Sequence, residues 1–359
     1  MSWLIGDSFT FYSKQFSSTC KNIIIFDLDG TIIKTKSGKV FPIGNDDWEP
    51  LYNNTANTIN NLDAIVGIIS NQKGIKSDVQ LKAWQHKLDG IMKLITNIHF
   101  IFASTADNRY RKPMIGSWEY IKESIFLGIT LPEEITYVGD ACGRNTDHSD
   151  TDIKFALNNN FKFSTPEKFF KIKVPRQDLY VTYPNLEYYT ITKFNNLFDK
   201  VLNELSNDKV FIMLIGFPGV GKSFIRKLIM DNNSKYKYTN KDDITNKVIN
   251  NNLLKNKETS NYIINDNTNM NDKNRNIILK EYNNYHKIGI FFDYSIELSV
   301  HLNYMRMYWY GVSLISKVVY NTINKSYTKP TSNTFDTFIT FDKILPQLNF
   351  KDSSMKYFY

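Results

Sequence analysis

The sequence predicts an α/β fold of two domains, each with a mainly parallel sheet flanked by helices. In both halves, short β-branched runs alternate with segments of helical periodicity, which is the pattern of βαβ units. The 359 residues suffice for about two domains of roughly 150 residues each, and apolar residues make up 42% of the chain. We predict a first domain at residues 1–172, a linker or interface strap at 173–190 and a second domain at 191–359.

The first domain is predicted from four short apolar runs that are typical of buried parallel strands, at residues 22–26, 65–69, 98–102 and 135–138. The second and third runs are separated by residues 78–94, whose apolar side chains recur at mostly helical spacing. Residues 115–125 show the same tendency between the third and fourth runs. This order predicts parallel strands with helices on both faces of the sheet.

The alternation is interrupted at residues 171–189, which contain two prolines and several tyrosines with little periodicity. It resumes at residue 191. The predicted elements of the second half are a helix to about residue 205, a strand at 210–215, a helix from 223, strands at 236–239 and 262–265, a helix near 272–285 and a strand at 288–292.

The net charge of +8 is concentrated in the second half of the chain. Such a field favours polyanionic partners such as nucleic acid or nucleotides, although a surface tuned for solubility is an equally good interpretation. Only two cysteines are present, which excludes a disulfide scaffold and fits a reducing compartment, the nucleus or the cytoplasm. No apolar run approaches the roughly 18 residues that a membrane span needs.

The first predicted strand leads into Asp27-Leu-Asp29-Gly30-Thr31. Two carboxylates at the carboxyl end of a buried strand repel each other unless a cation is present, which implies Mg²⁺. Asp27 is suited to attack phosphorus and form an aspartyl-phosphate. Asp29 is suited to protonate the leaving oxygen and later to deprotonate the attacking water. Gly30 permits a tight turn, and Thr31 can hydrogen-bond its partner aspartate. The alternative is an Asp-rich turn without catalytic meaning.

Side chains that can bind phosphate or a metal follow the three later strands of the first half. The second strand ends in Ser70-Asn71-Gln72, whose hydroxyl and amide can bind phosphate oxygens. Lys112 follows the third strand and can neutralise both a phosphate and the nucleophile. Asp140 follows the fourth strand and offers a further carboxylate for the metal. Because the carboxyl ends of parallel strands meet at one sheet edge, we expect all four groups to lie together.

The second half carries a phosphate-binding pattern between a strand and a helix. It fits G-x-x-x-x-G-K-[ST], in which backbone N–H groups wrap phosphates at a helix N-terminus. Lys222 would reach the β- and γ-phosphates, and Ser223 would hold Mg²⁺; the alternative is a glycine-rich turn. The predicted nucleotide-binding residues are Gly216, Phe217, Pro218, Gly219, Val220, Gly221, Lys222 and Ser223.

A kinase also needs a base for the acceptor hydroxyl and cations for the transferring phosphoryl group. Asp242 is the best candidate base, and its neighbour Asp243 is either a competing base or a helix N-cap. Arg306 is a candidate lid cation or, alternatively, an exposed helical arginine. Asp266 either orients Mg²⁺ or closes a turn.

The motifs of the first half resemble those of the haloacid-dehalogenase-like phosphatases. Together and in this order, the two halves resemble the bifunctional polynucleotide kinase/3′-phosphatases of DNA strand-break repair. The resemblance extends over nearly the whole chain and rests on Phe26-Asp-Leu-Asp-Gly-Thr-Ile32, Ser37-Gly-Lys-Val-Phe-Pro42, Tyr110-Arg-Lys-Pro113, Tyr137-Val-Gly-Asp-Ala-x-Gly-Arg144, Gly216-Phe-Pro-Gly-x-Gly-Lys-Ser223, Asp266-Asn-Thr-Asn269 and His301-x-Asn-x-x-Arg306.

The resemblance implies a haloacid-dehalogenase-like 3′-phosphatase followed by a P-loop 5′-hydroxyl kinase. The substrates would be DNA, or alternatively RNA, ends, with Mg²⁺ as cofactor and ATP as phosphoryl donor, and the protein would be a monomer without a membrane anchor. The implied catalytic residues are Asp27, Asp29, Lys112, Asp242 and Arg306, the phosphate-binding residues are Thr31, Ser70, Asn71 and Arg144, and the metal-binding residues are Asp27, Asp29, Asp140 and Ser223.

Several positions depart from the family pattern. Ser70 replaces a usual threonine, and Asp152 matches an acidic position that is often present. Tyr304 stands where the lid normally has an arginine. Asn240-Lys-Asp242 replaces an Asn-Arg-Asp triplet, and its lysine cannot form the bidentate hydrogen bonds that an arginine guanidinium makes. Given the short stretch before Asp27, we expect no forkhead-associated domain. The alternatives are a 3′-phosphatase with weak or lost kinase activity, a small-molecule phosphatase/kinase fusion and a nucleic-acid-binding scaffold.

Overall fold

The computed structural model describes residues 3–15, 22–175, 178–181, 184, 190–192, 208–240, 259–342 and 344–346. These residues form two compact units. The first comprises the described residues up to 181 together with 307–313, and the second comprises the remaining described residues from 184 to 346. Parts of the predicted linker, and residues 193–205 of a predicted helix, lie outside the described residues.

The first unit is built on a seven-stranded sheet in the order β1-β2-β7-β6-β3-β8-β9. Its first two strands form an antiparallel hairpin, β2 also pairs antiparallel with β7, and all the other pairs are parallel. The strands are β1 (Leu4–Gly6), β2 (Phe9–Ser13), β3 (Ile23–Phe26), β6 (Ile65–Asn71), β7 (Ile98–Ser104), β8 (Ile135–Val138) and β9 (Lys162–Ser164), and a separate two-stranded sheet pairs β4 (Ile33–Lys34) with β5 (Glu49–Pro50).

Helices cover both faces of this sheet. They are α1 (Thr55–Asn60), α2 (Asp78–Leu94), α3 (Gly116–Ile125), α4 (Thr151–Asn158) and α5 (Pro166–Phe169). Side chains of α1 and α2 pack on one face with Phe26, and side chains of α3 and α4 pack on the other with Ile25. Since neighbouring residues of a strand point to opposite faces, the buried strand β3 serves both cores.

Helix α2 has the bounds that its periodicity predicts. Its N-cap Ser77 accepts a hydrogen bond from the Gln80 backbone N–H, and Asp78 lies in the first turn, where a negative charge is favourable. Trp84, Leu88 and Ile91 turn toward the sheet and are buried. Helix α2 therefore packs against one face of the sheet.

The second unit contains a five-stranded parallel sheet in the order β12-β13-β11-β14-β15. Its strands are β11 (Val210–Ile215), β12 (Lys237–Asn240), β13 (Tyr262–Asp266), β14 (His286–Phe292) and β15 (Thr337–Phe341). The helices are α6 (Lys222–Asn232), α7 (Asp272–Glu281), α8 (Ile296–Tyr310) and α9 (Lys317–Lys325), with a 3₁₀ turn at Ser332–Thr334. Residues 307–310 at the end of α8 are counted with the first unit. All six residues of β11 are buried, as expected for a central strand.

The predicted fold class is confirmed, with two local differences. Thr190–Thr192, where a helix was predicted to begin, forms strand β10 and pairs in parallel with β16 (Ile344–Pro346); its β-branched residues favour an extended backbone. Helix α7 ends at Glu281 rather than near Tyr285, because the following Asn283-Asn284 has low helix propensity. Within the described residues, no helix is long and apolar enough to cross a bilayer.

Candidate active sites

Parallel pairing brings the predicted catalytic residues of the first unit to one sheet edge. Phe26 at the end of β3 pairs with Val138 at the end of β8, and the Asp27 backbone N–H donates to the Val138 carbonyl at 2.8 Å. Asp140 follows two residues after Val138. The structure therefore brings together the carboxylates that the strand order predicts.

Lys112 is the centre of this cluster. Its Nζ donates to Asp27 Oδ1 at 2.6 Å and to Asp152 Oδ1 at 2.7 Å. A third bond runs to the Tyr137 hydroxyl at 2.7 Å. Lys112 is 3% exposed. Burial alone would lower its pKa, but attraction to Asp152 and Asp27 outweighs burial, so that the pKa of Lys112 is raised. The lysine is therefore a fixed cation beside Asp27.

Two further residues complete the cluster. Asp152 is 2% exposed, and its Oδ2 accepts from the Ala141 backbone N–H at 3.0 Å, which fixes the carboxylate toward Lys112. Tyr137, which was not among the predicted site residues, lies within β8, where its position in a buried strand marks it only as a core aromatic. Burial raises the pKa of Tyr137 well above its usual value, and the charge of Asp152 adds to the effect. Tyr137 therefore stays a neutral hydroxyl.

Asp27, Asp140 and Asp152 fit a divalent cation. Each places one carboxylate oxygen within 4.8 Å of the others. Burial raises the pKa of Asp27, Lys112 offsets part of the effect, and the other two carboxylates add to it. Burial, followed by repulsion from Asp152, raises the pKa of Asp140 to about 6. One lysine does not neutralise the two buried carboxylates and the half-buried Asp140, and hard oxygen donors so arranged suit Mg²⁺.

Asp29, which was also predicted to bind the metal, lies outside the group formed by these three carboxylates. Its Oδ2 accepts from Gln72 Nε2 at 2.7 Å, and its Oδ1 lies 3.4 Å from Lys87 Nζ. Its side chain is 53% exposed, in contrast to Asp27. The carboxylate that the sequence assigns to proton transfer is therefore held at the rim of the cluster, open to solvent.

Gly30 and Thr31 secure the position of Asp140. Thr31 Oγ1 donates to Asp140 Oδ1 at 3.2 Å. Gly30 has a φ of +79°, and a Cβ there would lie 2.5 Å from Asp140 Oδ2. Only glycine satisfies both the backbone conformation and the close approach of the carboxylate.

Two of the predicted phosphate-binding residues, Ser70 and Asn71, lie at the end of β6 and make different contacts. Ser70 is buried at the end of β6, and its Oγ accepts from Gln72 Nε2 at 2.9 Å. Asn71 donates to the Lys112 carbonyl at 3.1 Å and accepts from the Lys112 N–H at 2.9 Å, so that it fixes the loop that carries the lysine.

Arg144, which was also predicted to bind phosphate, lies within an ion-pair network. Its guanidinium pairs with Asp147 at 2.9 Å and with Glu167 at 3.0 Å. Nη2 donates to the Asp140 carbonyl at 3.0 Å. In this structure Arg144 thus braces the loop that begins at Asp140.

In the second unit, residues 216–223 form a loop between β11 and α6. Lys222 is 8% exposed, and its Nζ donates to the carbonyls of Phe217 at 2.7 Å and Gly216 at 3.0 Å. Gly219 has a φ of +82°, and a Cβ there would lie 3.2 Å from the Cβ of Asn303. The loop therefore keeps its lysine against its own backbone and packs closely on helix α8.

Side chains outside the motif fix this loop. The Tyr320 hydroxyl donates to the Pro218 carbonyl at 3.0 Å. Asn303 Nδ2 donates to the Ile315 carbonyl at 2.9 Å, which holds Asn303 beneath Gly219. Tyr320 is fully buried, and nothing in its local sequence distinguishes it from a core residue.

The remaining predicted kinase residues are only partly described. Asp242 and Asp243 lie outside the described residues. Arg306 lies on α8, and its Nη2 donates to Asn303 Oδ1 at 3.4 Å. Asp266, at the end of β13, is 2% exposed and lies 3.0 Å from Arg226 Nε, whose guanidinium stacks on the Tyr238 ring.

Residues 22–170 match the family model described as polynucleotide kinase 3 phosphatase. A bifunctional polynucleotide phosphatase/kinase of Schizosaccharomyces pombe is 34% identical over 230 residues, which cover 62% of this chain and 54% of that protein. The match thus spans about half the length of that relative.

Two other relatives differ in how much of the chain they match. The "Putative bifunctional polynucleotide phosphatase/kinase" of Acanthamoeba polyphaga mimivirus is 28% identical over 416 aligned residues, which cover 99% of this chain and 95% of that protein. A polynucleotide 3′-phosphatase of Saccharomyces cerevisiae is 28% identical over 207 residues, which cover 42% of this chain and 87% of that protein. Through residues 22–170, which contain the Asp27–Lys112 cluster, the chain belongs to the polynucleotide kinase 3 phosphatase family.

Proposed function

We propose that this protein is a bifunctional enzyme that heals nucleic-acid ends during DNA strand-break repair. The first unit removes 3′-phosphates through an aspartyl-phosphate, and the second phosphorylates 5′-hydroxyls with ATP. The observation that carries the proposal is the buried contact of Lys112 Nζ with Asp27 Oδ1 at 2.6 Å, beside two more carboxylates. The full-length similarity to the mimivirus protein supports the presence of both activities in one chain. We assign the phosphatase domain to residues 1–172 and the kinase domain to residues 191–359.

The phosphatase reaction needs a nucleophile, a cation and a proton donor. Asp27 attacks the phosphorus of the 3′-phosphate, and a bond forms between its carboxylate oxygen and phosphorus while the bond from phosphorus to the 3′-oxygen breaks. Lys112 holds the nucleophile and balances the added negative charge. Asp29 gives its proton to the 3′-oxygen. It then takes a proton from a water whose oxygen bonds to phosphorus, while the bond between Asp27 and phosphorus breaks and inorganic phosphate leaves.

Mg²⁺ is the cofactor that the acidic cluster suits. The carboxylates of Asp27 and Asp140 would hold it together with Asp152, which the sequence-derived metal set lacked. When bound, Mg²⁺ supplies positive charge that stabilises the transferring phosphoryl group.

The kinase reaction is assigned to the loop at 216–223. Its backbone N–H groups and Lys222 bind the phosphates of ATP, and Ser223 is the metal-binding hydroxyl of the motif. From the sequence, Asp242 takes the proton of the 5′-hydroxyl, and Arg306 is the candidate lid cation. The field of the basic second half favours the approach of polyanionic strands.

A nicked DNA duplex with 3′-phosphate and 5′-hydroxyl termini tests the proposal. After incubation with ATP and Mg²⁺, we expect the mass of one strand to fall by one phosphate and that of the other to rise by one. The same measurement on a matched RNA strand reveals any preference between the two nucleic acids. Unchanged masses on both DNA and RNA ends would overturn the proposal.

We expect Mg²⁺ to raise the melting temperature of the first unit more at pH 7.5 than at pH 5. The pKa of Asp140 is raised to about 6. Without metal, the protonated Asp140 therefore stabilises the fold at low pH, and this contribution to the free energy of unfolding is lost as pH rises through about 6. Mg²⁺ binds the ionised carboxylates and restores about 1.4 kcal/mol when its concentration is tenfold above its Kd.

Scanning calorimetry at the two pH values measures this shift, with Asp140→Asn as the matched variant. The variant should lose most of the Mg²⁺-dependent shift at pH 7.5. A shift of equal size at both pH values, or one that survives in Asp140→Asn, would contradict the assignment of the metal to this cluster.

A further inference from the structure

Lys87 is a buried lysine on the core-facing side of helix α2. It is 8% exposed and lies among apolar residues of the same face, namely Leu81, Trp84, Leu88 and Ile91. Lysine is rarely buried without a charged partner, because moving the ammonium out of water is costly. An apolar residue at this position would give a more stable fold, so the buried charge is expected to have a function.

Among the described residues, Asp29 is the only carboxylate within ion-pair distance of the Lys87 ammonium. Nζ lies 3.4 Å from Asp29 Oδ1. Helix α2 thus places a cation beneath the carboxylate that the proposed reaction uses for proton transfer. The lysine is buried while its partner is 53% exposed, so the contact is made from the protein side of Asp29.

The two oxygens of Asp29 are held by two different elements. Gln72, at the end of β6, donates to Oδ2 at 2.7 Å, and Lys87 on α2 contacts Oδ1. Two donors on two oxygens restrict rotation of the carboxyl group about its Cβ–Cγ bond. Each oxygen keeps a second lone pair, so the group can still carry or accept a proton.

We propose that Lys87 is a positioning residue, which with Gln72 holds the Asp29 carboxyl group in the orientation required for proton transfer to the leaving 3′-oxygen. The inference rests on the proposed phosphatase function. In the step concerned, the Asp27–phosphorus bond forms, the bond from phosphorus to the 3′-oxygen breaks, and the Asp29 proton moves to that oxygen. Lys87 touches neither the phosphate nor the leaving group.

A purely structural role of Lys87 predicts a different result for its substitution. If the stem of Lys87 only fills space against the core, methionine should replace it without a selective effect on chemistry. If Lys87 orients Asp29, its loss should slow only those reactions whose leaving group needs a proton. The two roles are therefore separated by the choice of leaving group.

The experiment compares Lys87→Met with the unaltered protein on two oligonucleotides that differ in one atom. One ends in an ordinary 3′-phosphate, and the other has sulfur in place of the bridging 3′-oxygen, so that a thiolate leaves without needing a proton. General acid catalysis is typically worth about 10²–10⁴-fold, and we expect partial loss of orientation to lower kcat/KM by about 30-fold for the oxygen substrate. For the sulfur substrate we expect less than about a threefold change.

Three controls make the result specific. Lys82→Met removes an exposed lysine of the same helix and should leave both substrates unaffected. Lys87→Arg keeps a cation and should recover part of the rate on the oxygen substrate. In an Asp29→Asn background, Lys87→Met should cause no further loss, since both changes remove the same proton transfer.

The outcomes are distinguishable from a failure of the proposed function. If the unaltered protein releases no phosphate from the 3′-phosphate strand, the proposed function fails. If it does, and Lys87→Met slows both substrates equally or neither, Lys87 has only a structural role and the inference is overturned. Turnover of the sulfur substrate also shows that the variant has folded.

Discussion

Asp27→Asn is expected to lower the release of phosphate from a 3′-phosphorylated strand on the order of 10⁴-fold or more. The amide keeps the size of the side chain and one oxygen for Lys112, which lies 2.6 Å from Asp27 Oδ1. It lacks the charged oxygen that would bond to phosphorus. ATP-dependent 5′-phosphorylation by the same variant should stay within about twofold of normal, since the P-loop belongs to the other unit.

Asp63→Asn is the matched control for this variant. Asp63 is exposed and lies near the amino end of β6, at the opposite edge of the sheet from the cluster. It should leave phosphate release unchanged. Residual activity of Asp27→Asn above a tenth of normal, in protein that still phosphorylates 5′-hydroxyls, would contradict the role assigned to Asp27.

Lys222→Ala is expected to lower transfer of phosphate from ATP to a 5′-hydroxyl by about 10²–10³-fold, while phosphate release from 3′ ends continues. Lys222 is 8% exposed and lies against the carbonyls of Gly216 and Phe217. It is the side-chain cation of the loop that follows β11, and its loss removes charge from the β- and γ-phosphates.

The control is Lys227→Ala, which removes an exposed lysine from the same helix, α6. It should have little effect, because Lys227 lies outside the loop. Labelling of a 5′-hydroxyl strand with radioactive ATP measures both variants. Equal rates for Lys222→Ala and Lys227→Ala would show that this loop does not bind the phosphoryl donor.

The positions of Asp27, Lys112 and Asp140 in the fold could be predicted from sequence because they depend on strand order. Each follows a short buried run, and parallel pairing brings such ends to one edge. The pairing of Phe26 with Val138 brings the ends of β3 and β8 together in this way. The strand–loop–helix arrangement around residues 216–223 could be predicted equally well, since its strand, glycines, lysine and helix are contiguous in the sequence.

Other contacts could not be predicted because they join residues far apart in the sequence. Lys87 reaches Asp29 across 58 positions, and Tyr137 reaches Lys112 across 25. The sequence around Lys87 or Tyr137 is equally consistent with an ordinary helix or core residue. The contacts of Arg144 likewise depend on Glu167, which lies 23 positions away. Such placements follow from tertiary packing rather than from local pattern.

Trapping the intermediate on Asp27 tests the account most directly. The protein is mixed with a 3′-phosphorylated oligonucleotide and Mg²⁺, quenched within one turnover and treated with borohydride, which reduces an acyl phosphate to an alcohol. We predict that the peptide containing Asp27 carries homoserine in its place, and that no other aspartate is converted. Phosphate release without any conversion of Asp27, or conversion of Asp29 or Asp140 instead, would contradict the account.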